Sequence, residues 1–199
     1  MLGSISPVGE SARRQRWWLT ASAYLLASIA GGALIGGVFG AAGQLLHSVV
    51  TLSAPTRLVI LALAVAVAAA SDSTRTRFSL PTWHRQVDER WLGTYRGWVY
   101  GLGFGFQLGL GIATIVPSAV TYAMLVAAAL TASVPAGVLV GTLFGAVRAL
   151  PLLFAGTLRS PARLHGVTGR VAAAEPSVHR AVIAGQAAIA ATAVIGAAL

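Results

Sequence analysis

The sequence predicts an all-α fold, a polytopic membrane helix bundle of about five transmembrane helices with a discontinuous third helix and an inverted repeat. Hydrophobic residues make up 56% of the 199-residue chain and charged residues only 10%, and the mean hydropathy is +0.78. Soluble domains carry roughly a quarter charged residues. Several apolar runs also reach the length of about 18 residues that is typical of membrane spans.

Five apolar segments divide what is predicted to be a single transmembrane domain covering residues 1–199. The predicted spans are residues 18–46, 54–72, 97–132, 135–156 and 177–198. Residues 1–17 are predicted to be a cytoplasmic arm. Because no cleavage site follows a short apolar region, the first segment is expected to be a retained span rather than a signal peptide. Residues 73–96 and 157–176 are predicted to be Arg-rich cytoplasmic loops.

The arginines sort to one side of the predicted membrane. Three precede the first span, five lie between the second and third spans, four follow the fourth span, and only Arg57 lies in a connection on the other side. Because positively charged loops stay in the cytoplasm, we expect a bacterial inner-membrane protein with a cytoplasmic N-terminus and an outside C-terminus. Basic residues interleaved with aromatics could also bind nucleic acid. The lipid bilayer explains this charge better, so no nucleic-acid partner is predicted.

The third segment is too long for one straight helix. Its 36 residues would measure about 54 Å, against a hydrocarbon core of about 30 Å. Two crossings would place the arginines between residues 159 and 180 outside, so the sequence favours one crossing by a helix broken at residues 114–118, where Pro117 lacks a backbone donor. Irregular backbone at membrane depth needs a lining of protein or water. The break is therefore the predicted site.

Polar side chains near this break are the candidate substrate-binding residues. Their hydroxyl and amide groups would contact a small solute, and the guanidinium of Arg148 would favour an anionic one. Structural roles are the alternative, because hydroxyls can bind backbone carbonyls freed by proline and an arginine can extend to the membrane surface. The candidates are Gln107, Thr114, Pro117, Ser118, Thr121 and Arg148.

The five carboxylates are all expected to lie outside the apolar parts of the spans, with Asp72 in the polar end that follows the apolar residues 58–70, so a proton relay or a cation site built on intramembrane acids is not expected. They are Glu10, Asp72, Asp88, Glu89 and Glu175. The chain has no cysteine and its four histidines are scattered, which excludes thiol redox chemistry and argues against a metal site or a cofactor. No catalytic triad or carboxylate pair can be recognised, so no enzyme is predicted.

Glycines recur every four residues in three predicted spans. This spacing places them on one helix face, where two backbones can approach closely. Residues 32–42 and 137–147 share six of eleven residues on spans of opposite direction, which favours an inverted-topology repeat of the kind found in transporters. The predicted helix-packing residues are Gly32, Gly36, Gly40, Gly97, Gly101, Gly105, Gly109, Gly137, Gly141 and Gly145.

Residues 98–153 contain a Gly-rich broken helix with Pro117 and Ser118, followed by a span that ends in the sequence FGAVRALPLL. This stretch resembles the second half of the CcdA/DsbD transmembrane domain family, bacterial inner-membrane electron carriers for cytochrome c maturation and disulfide reduction. The resemblance implies a scaffold of inverted three-helix repeats, here without the opening helix. Ser118 stands where the family has cysteine and Thr121 where it has a second proline, so the family's thiol electron transfer is not available to this chain.

Two functions of different class follow from the sequence. The first is a CcdA/DsbD-like membrane protein that binds or moves a small, anionic solute at the break. The alternative is a non-transporting assembly or accessory subunit that docks a membrane or periplasmic protein partner through its Gly faces and Arg-rich loops, for maturation of a cytochrome c or a periplasmic enzyme. The third alternative is a degenerate member of the family that has a structural role alone.

Overall fold

The computed structural model describes residues 5–73, 90–113, 118–156 and 161–198, and their regular structure is helical. The helices are α1 (Pro7–Ala12), α2 (Trp17–Val49), α3 (Ala54–Ser73), α4 (Trp91–Thr94), α5 (Gly97–Leu110), α6 (Val120–Leu130), α7 (Val134–Ala155) and α8 (Pro161–Ala198). Within these ranges α2, α3, α7 and the part of α8 from Ala173 are long and apolar enough to cross a membrane, and α6 is a shorter apolar helix. The predicted all-α polytopic bundle is confirmed.

Large apolar side chains cover the outside of the bundle. Leu63 and Val67 on α3 are 62% and 65% exposed, and Leu143 on α7 is 58% exposed. Contiguous apolar surface of this kind would be unfavourable in water. It suits a chain whose helices contact lipid.

Helix α2 lies at the centre, and α5 runs parallel to it. A methyl group added at Gly101 would lie 2.6 Å from the carbonyl oxygen of Thr20, and one added at Gly109 would collide with the backbone of Ser28. Both contact positions advance by eight residues, so the two helices point the same way. Their backbones approach so closely because neither glycine carries a side chain.

The third apolar segment is interrupted, as the sequence predicts. Helix α5 ends at Leu110, and Gly111 follows in the left-handed region with φ of 74°, a conformation that favours glycine. Helix α6 begins at Val120, and its far end contacts α2, where a methyl group at Gly43 would collide with Ala129. The contacts with α2 thus continue in one direction from α5 to α6. The segment runs along α2 once and does not fold back.

Helix α7 packs on α2 in the opposite direction. Added methyl groups at Gly36 and Gly141 would collide with the backbones of Gly137 and Gly32 respectively, and the Ser28 Oγ donates a hydrogen bond to the Gly145 carbonyl oxygen at 2.8 Å. If the two matching sequences are exchanged, the Gly32–Gly141 contact becomes the Gly137–Gly36 contact. This symmetry is what an inverted repeat would produce, and the repeat itself stays a prediction.

Helices α3 and α8 form an antiparallel pair at the side of α6. The Leu58 side chain near the start of α3 lies 3.4 Å from a methyl group built at Gly196, near the end of α8. At the other end of α3, the Asp72 carboxylate accepts a hydrogen bond from Gln186 at 2.9 Å. This pair brings the end of α3 to the interruption between α5 and α6.

The structure departs from the predicted boundaries in the connections. Helix α8 begins at Pro161 rather than near residue 177, so the described part of the predicted loop 157–176 is helical. Proline suits the first position of a helix, and alanine, arginine and leucine among the residues that follow are good helix formers, whereas Gly166 and Gly169 are poor ones. Hydropathy detects only the apolar portion from Ala173, which is why the prediction missed the polar beginning of this helix. The predicted arm 1–17 likewise contains the short helix α1.

Reporter fusions test the single crossing of the third segment. Fusions after Ser133 and Leu199 are expected to report an outside location in a bacterial host, and a fusion after Gly166 an inside location, because five alternating crossings place these positions so. The measurement is the activity of a paired periplasmic and cytoplasmic reporter. An outside location for Gly166 would mean that residues 97–132 cross the membrane twice.

Candidate functional site

The Asp72 carboxylate, in the last turn of α3, is the centre of a buried polar cluster. Its Oδ2 accepts hydrogen bonds from the Ser118 hydroxyl at 2.7 Å and from the Gln186 amide at 2.9 Å. Its Oδ1 accepts the backbone N–H of Ala119 at 2.9 Å. Asp72 and Gln186 are only 7% and 4% exposed. Three separate elements therefore meet at this carboxylate.

The cluster lies at the beginning of α6, next to the interruption. The first N–H groups of a helix have no partner within the helix, and here the Ala119 N–H binds Asp72 while the Val120 N–H donates to the Ser118 hydroxyl at 3.2 Å. A negative charge near the N-terminal end of a helix is favourable. The unpaired N–H groups at the start of α6 thus explain why the Ser118 hydroxyl and the Asp72 carboxylate lie at this end of the helix.

The guanidinium of Arg148 reaches the same end of α6 from α7. Its Nη1 donates to the Thr121 hydroxyl at 3.3 Å, and its Cζ lies 5.2 Å from the centre of the Phe144 ring. Thr121 is buried and one helical turn after Ser118, to whose carbonyl oxygen its N–H donates at 3.4 Å. No carboxylate of the described residues pairs with Arg148, and Thr121 is the hydrogen-bond partner that the described residues provide.

The candidate residues from the sequence divide into three groups. Ser118, Thr121 and Arg148 come together at the start of α6. Gln107 lies half-buried on α5, and among the described residues it makes no hydrogen bond with this cluster. Thr114 and Pro117 lie outside the described residues.

The expectation that all carboxylates lie outside the spans was wrong for Asp72. Asp72 belongs to α3, a candidate membrane span, and is buried against α6 and α8. Its position at the polar end of an apolar run made it look like a loop residue. Gln186 lies in the middle of the last apolar segment, and a buried polar side chain there needs a hydrogen-bond partner. It was the available signal that a polar group from another helix lies inside the bundle.

A second buried carboxylate, Glu10, holds the N-terminal arm against the bundle. It has no exposed surface and accepts hydrogen bonds from the side chains of Arg13 at 2.7 Å, Thr20 at 2.8 Å and Tyr100. The arm is also anchored by the Gly97 N–H, which donates to the Gln15 side chain at 3.2 Å.

The charge of Arg13 completes this second cluster. Burial lowers the pKa of the Arg13 guanidinium, but its hydrogen bond to Glu10 and its interactions with Tyr100 raise the pKa by more. The net pKa lies above its usual value, so the arginine stays charged and neutralises Glu10. In this cluster the buried carboxylate has an ion pair, which gives it a structural character, whereas Asp72 has no ion pair among the described residues.

Apolar spanning helices around an interrupted helix with buried polar side chains define a polytopic integral membrane protein. Residues 1–190 match the family described as cytochrome C biogenesis protein transmembrane region, and the chain belongs to that family. The CcdA/DsbD-like resemblance seen in residues 98–153 is thereby confirmed. No curated protein and no solved structure matched the chain. With no cysteine among the 199 residues, thiol chemistry is not available to them.

Proposed function

We propose that this protein binds or moves a small solute, preferably an anion, at the interruption between α5 and α6. The observation that carries the proposal is the meeting of polar side chains from four helices at the start of α6: Asp72, Ser118, Thr121, Arg148 and Gln186. Polar and ionisable groups are expensive inside a membrane and usually mark a solute or ion pathway. Discontinuous helices are where transporters place such sites.

Arg148 supports an anionic solute. A guanidinium has five N–H donors in a planar fork that matches carboxylate and phosphate oxygens, and only one of the described hydrogen bonds uses them. The first turn of α6 adds the positive end of a helix dipole to the same place. We further propose that the site faces alternate sides of a bacterial inner membrane, and that the protein carries its solute without enzymatic chemistry.

Loss of the Arg148 charge is expected to reduce solute uptake strongly. In proteoliposomes supplied with labelled phosphate, sulfate or acetate, the wild type should take up at least one of these anions. Arg148→Gln should reduce that influx about ten- to a hundred-fold, since a hydrogen bond to a charged group contributes about 1.5–3 kcal/mol. Thr121→Val should reduce it less, because the threonine orients the guanidinium rather than carrying charge.

Arg57→Gln is the matched control, because Arg57 lies at the opposite end of α3 from Asp72. It should leave influx within about twofold of the wild type at equal amounts of folded protein. Equal influx in the wild type and in Arg148→Gln would contradict the assignment of Arg148. Absence of influx for every anion, with the wild type folded, would contradict transport of these anions.

The alternative is an accessory subunit, for which the sequence assigned the Gly faces and the Arg-rich loops as docking surfaces. The Gly faces contact each other inside the bundle, through α2 with α5 and α2 with α7. An accessory role would therefore depend on the Arg-rich loops. Purification in mild detergent distinguishes the two functions, because an accessory subunit is expected to co-purify with one partner in fixed stoichiometry.

A further inference from the structure

Asp72 is a buried carboxylate without a countercharge among the described residues. It makes no ion pair with a described arginine or histidine and is 7% exposed. Removing an ionised carboxylate from water costs several kcal/mol unless another charge compensates it. In practice such a group becomes neutral by binding a proton or a cation. Three hydrogen-bond donors stabilise the anion in the opposite sense.

The amide of Gln186 provides a partner for both states of Asp72. Its Nε2 donates to the carboxylate, while its Oε1 is buried and has no hydrogen-bond partner in the part of the chain that the structure describes. A buried acceptor without a donor is unfavourable. A half-turn of the amide would bring this oxygen to Asp72, where it could accept the proton of a neutral carboxylic acid. The amide can therefore pair with either state of Asp72, with its nitrogen towards the carboxylate or with its oxygen towards the neutral acid.

A groove runs along α3 and α6 beside this cluster. Its cavity of about 550 Å³ is lined mainly by apolar side chains, among them Leu63 and Val67, and by Ser71 and Ala119 at the end next to Asp72. Ser71 precedes Asp72 in the chain, and the Ala119 N–H binds the carboxylate. Asp72 therefore lies beside open space, although it is itself buried.

Other charged groups around Asp72 are few. On α6 and α8, the helices that pack against α3, the titratable or charged side chains that the structure describes are Tyr122, Arg170, Glu175, His179 and Arg180. Arg148 of α7 reaches the neighbouring Thr121. Since none of these forms an ion pair with Asp72, protonation is the simplest way to neutralise it.

We propose that Asp72 reversibly binds a proton from water, that Gln186 turns its amide to match each state, and that this proton is the coupling ion of the solute site. The coupling part rests on the proposed function. An anion at Arg148 would be repelled by an ionised Asp72 and tolerated by a neutral one, because like charges in a low-dielectric site interact strongly. Uptake of the proton would therefore favour binding of the anion.

Infrared difference spectroscopy tests the proton site without any solute. The full chain in lipid nanodiscs is titrated between about pH 4 and pH 9, a range that covers ordinary and strongly perturbed carboxyl groups. The C=O stretch of a protonated carboxylic acid should disappear as the pH rises. We expect complete loss of this component in Asp72→Asn, which should still fold because an amide resembles the neutral acid. Gln186→Leu should change the pH midpoint of this band. Glu175→Gln, which alters an exposed carboxyl on α8, should leave that midpoint unchanged.

Two results would overturn the proton site. One is the absence of an Asp72-dependent band over the whole pH range, which would make Asp72 a permanent carboxylate that only caps α6. The other is a change of the infrared carboxylate bands with sodium at constant pH and no change with pH, which would mean that Asp72 binds a metal cation instead of a proton. A titrating band together with failed anion influx would support the proton site and contradict the proposed function, so the two failures are distinguishable.

Discussion

Gly141→Ala is expected to destabilise the bundle by about 3 kcal/mol, although it adds only one methyl group. That methyl would collide with the carbonyl oxygen of Gly32 and lie 2.9 Å from the Cα of Gly36. Both are backbone atoms of α2, so neither can move aside as a flexible side chain could. The measurement is the free energy of unfolding of the purified protein in detergent micelles.

Gly185→Ala is the matched control, because a methyl group at Gly185 meets no atom within 4 Å. Alanine has a higher helix propensity than glycine, so this variant should be more stable than the wild type by about 0.5–1 kcal/mol. The same substitution is therefore expected to lower the free energy of unfolding in one helix and to raise it in another. Equal effects at the two positions would contradict the close approach of α2 and α7.

The four-residue spacing identified most of the close-packed glycines in the sequence. Gly32, Gly36 and Gly40 form a continuous face that makes close backbone contacts, as do their counterparts on α5 and α7 apart from Gly97, which meets side chains. Gly31 and Gly43 also meet backbone atoms although they lie outside the spacing. Gly166, Gly169 and Gly185 lack that spacing and have open space. Helix packing could be predicted because it depends on periodicity along one helix, a property of neighbouring residues.

The polar cluster could be predicted only in part, for the opposite reason. Pro117 and the length of the third segment pointed to the break, and from there to Ser118 and Thr121. Asp72 is 46 positions from Ser118 and 114 positions from Gln186, and no local pattern connects residues so far apart. A hydropathy profile also places an acid at the end of an apolar run outside the membrane. Only the packing of α6 and α8 against α3 shows that Asp72 is buried.

The buried carboxylate of the arm was missed for a related reason. Glu10 lies in a short polar segment before the first span, where exposed charges are common. Its partners are Thr20 on α2 and Tyr100 on α5, the second of them 90 positions away. Charge and hydropathy along the chain describe where an acid is expected on average. They do not describe which acids acquire partners on folding.

Glu10→Ala is expected to lower the free energy of unfolding by about 3–5 kcal/mol, the effect of breaking a buried ion pair by removing one partner. The substitution leaves the Thr20 and Tyr100 hydroxyls without their carboxylate acceptor and removes the charge that faces Arg13. Glu10→Gln should have a smaller effect, about 1–2 kcal/mol, because the amide oxygen can still accept a hydrogen bond. Unfolding in detergent micelles measures both variants.

Glu175→Ala is the control, since Glu175 is an exposed carboxylate on α8, and surface substitutions usually change stability by less than about 0.5 kcal/mol. A double-mutant cycle of Glu10→Gln and Tyr100→Phe should give a coupling energy of about 0.5–3 kcal/mol, because the two side chains are in direct contact. A coupling energy near zero would mean that Glu10 acts through bulk charge rather than through the Tyr100 hydrogen bond.

Limited proteolysis separates a local effect from a global one. Glu10 joins α1 to both α2 and α5, and the Gln15 side chain provides a second anchor at Gly97. If the arm is part of the cooperative bundle, Glu10→Ala should lower the unfolding free energy and the arm should be cleaved only when the bundle unfolds. Cleavage of the arm from an otherwise stable bundle would show instead that Glu10 stabilises only residues 5–15. The membrane helices would then be stable without the contacts of the arm.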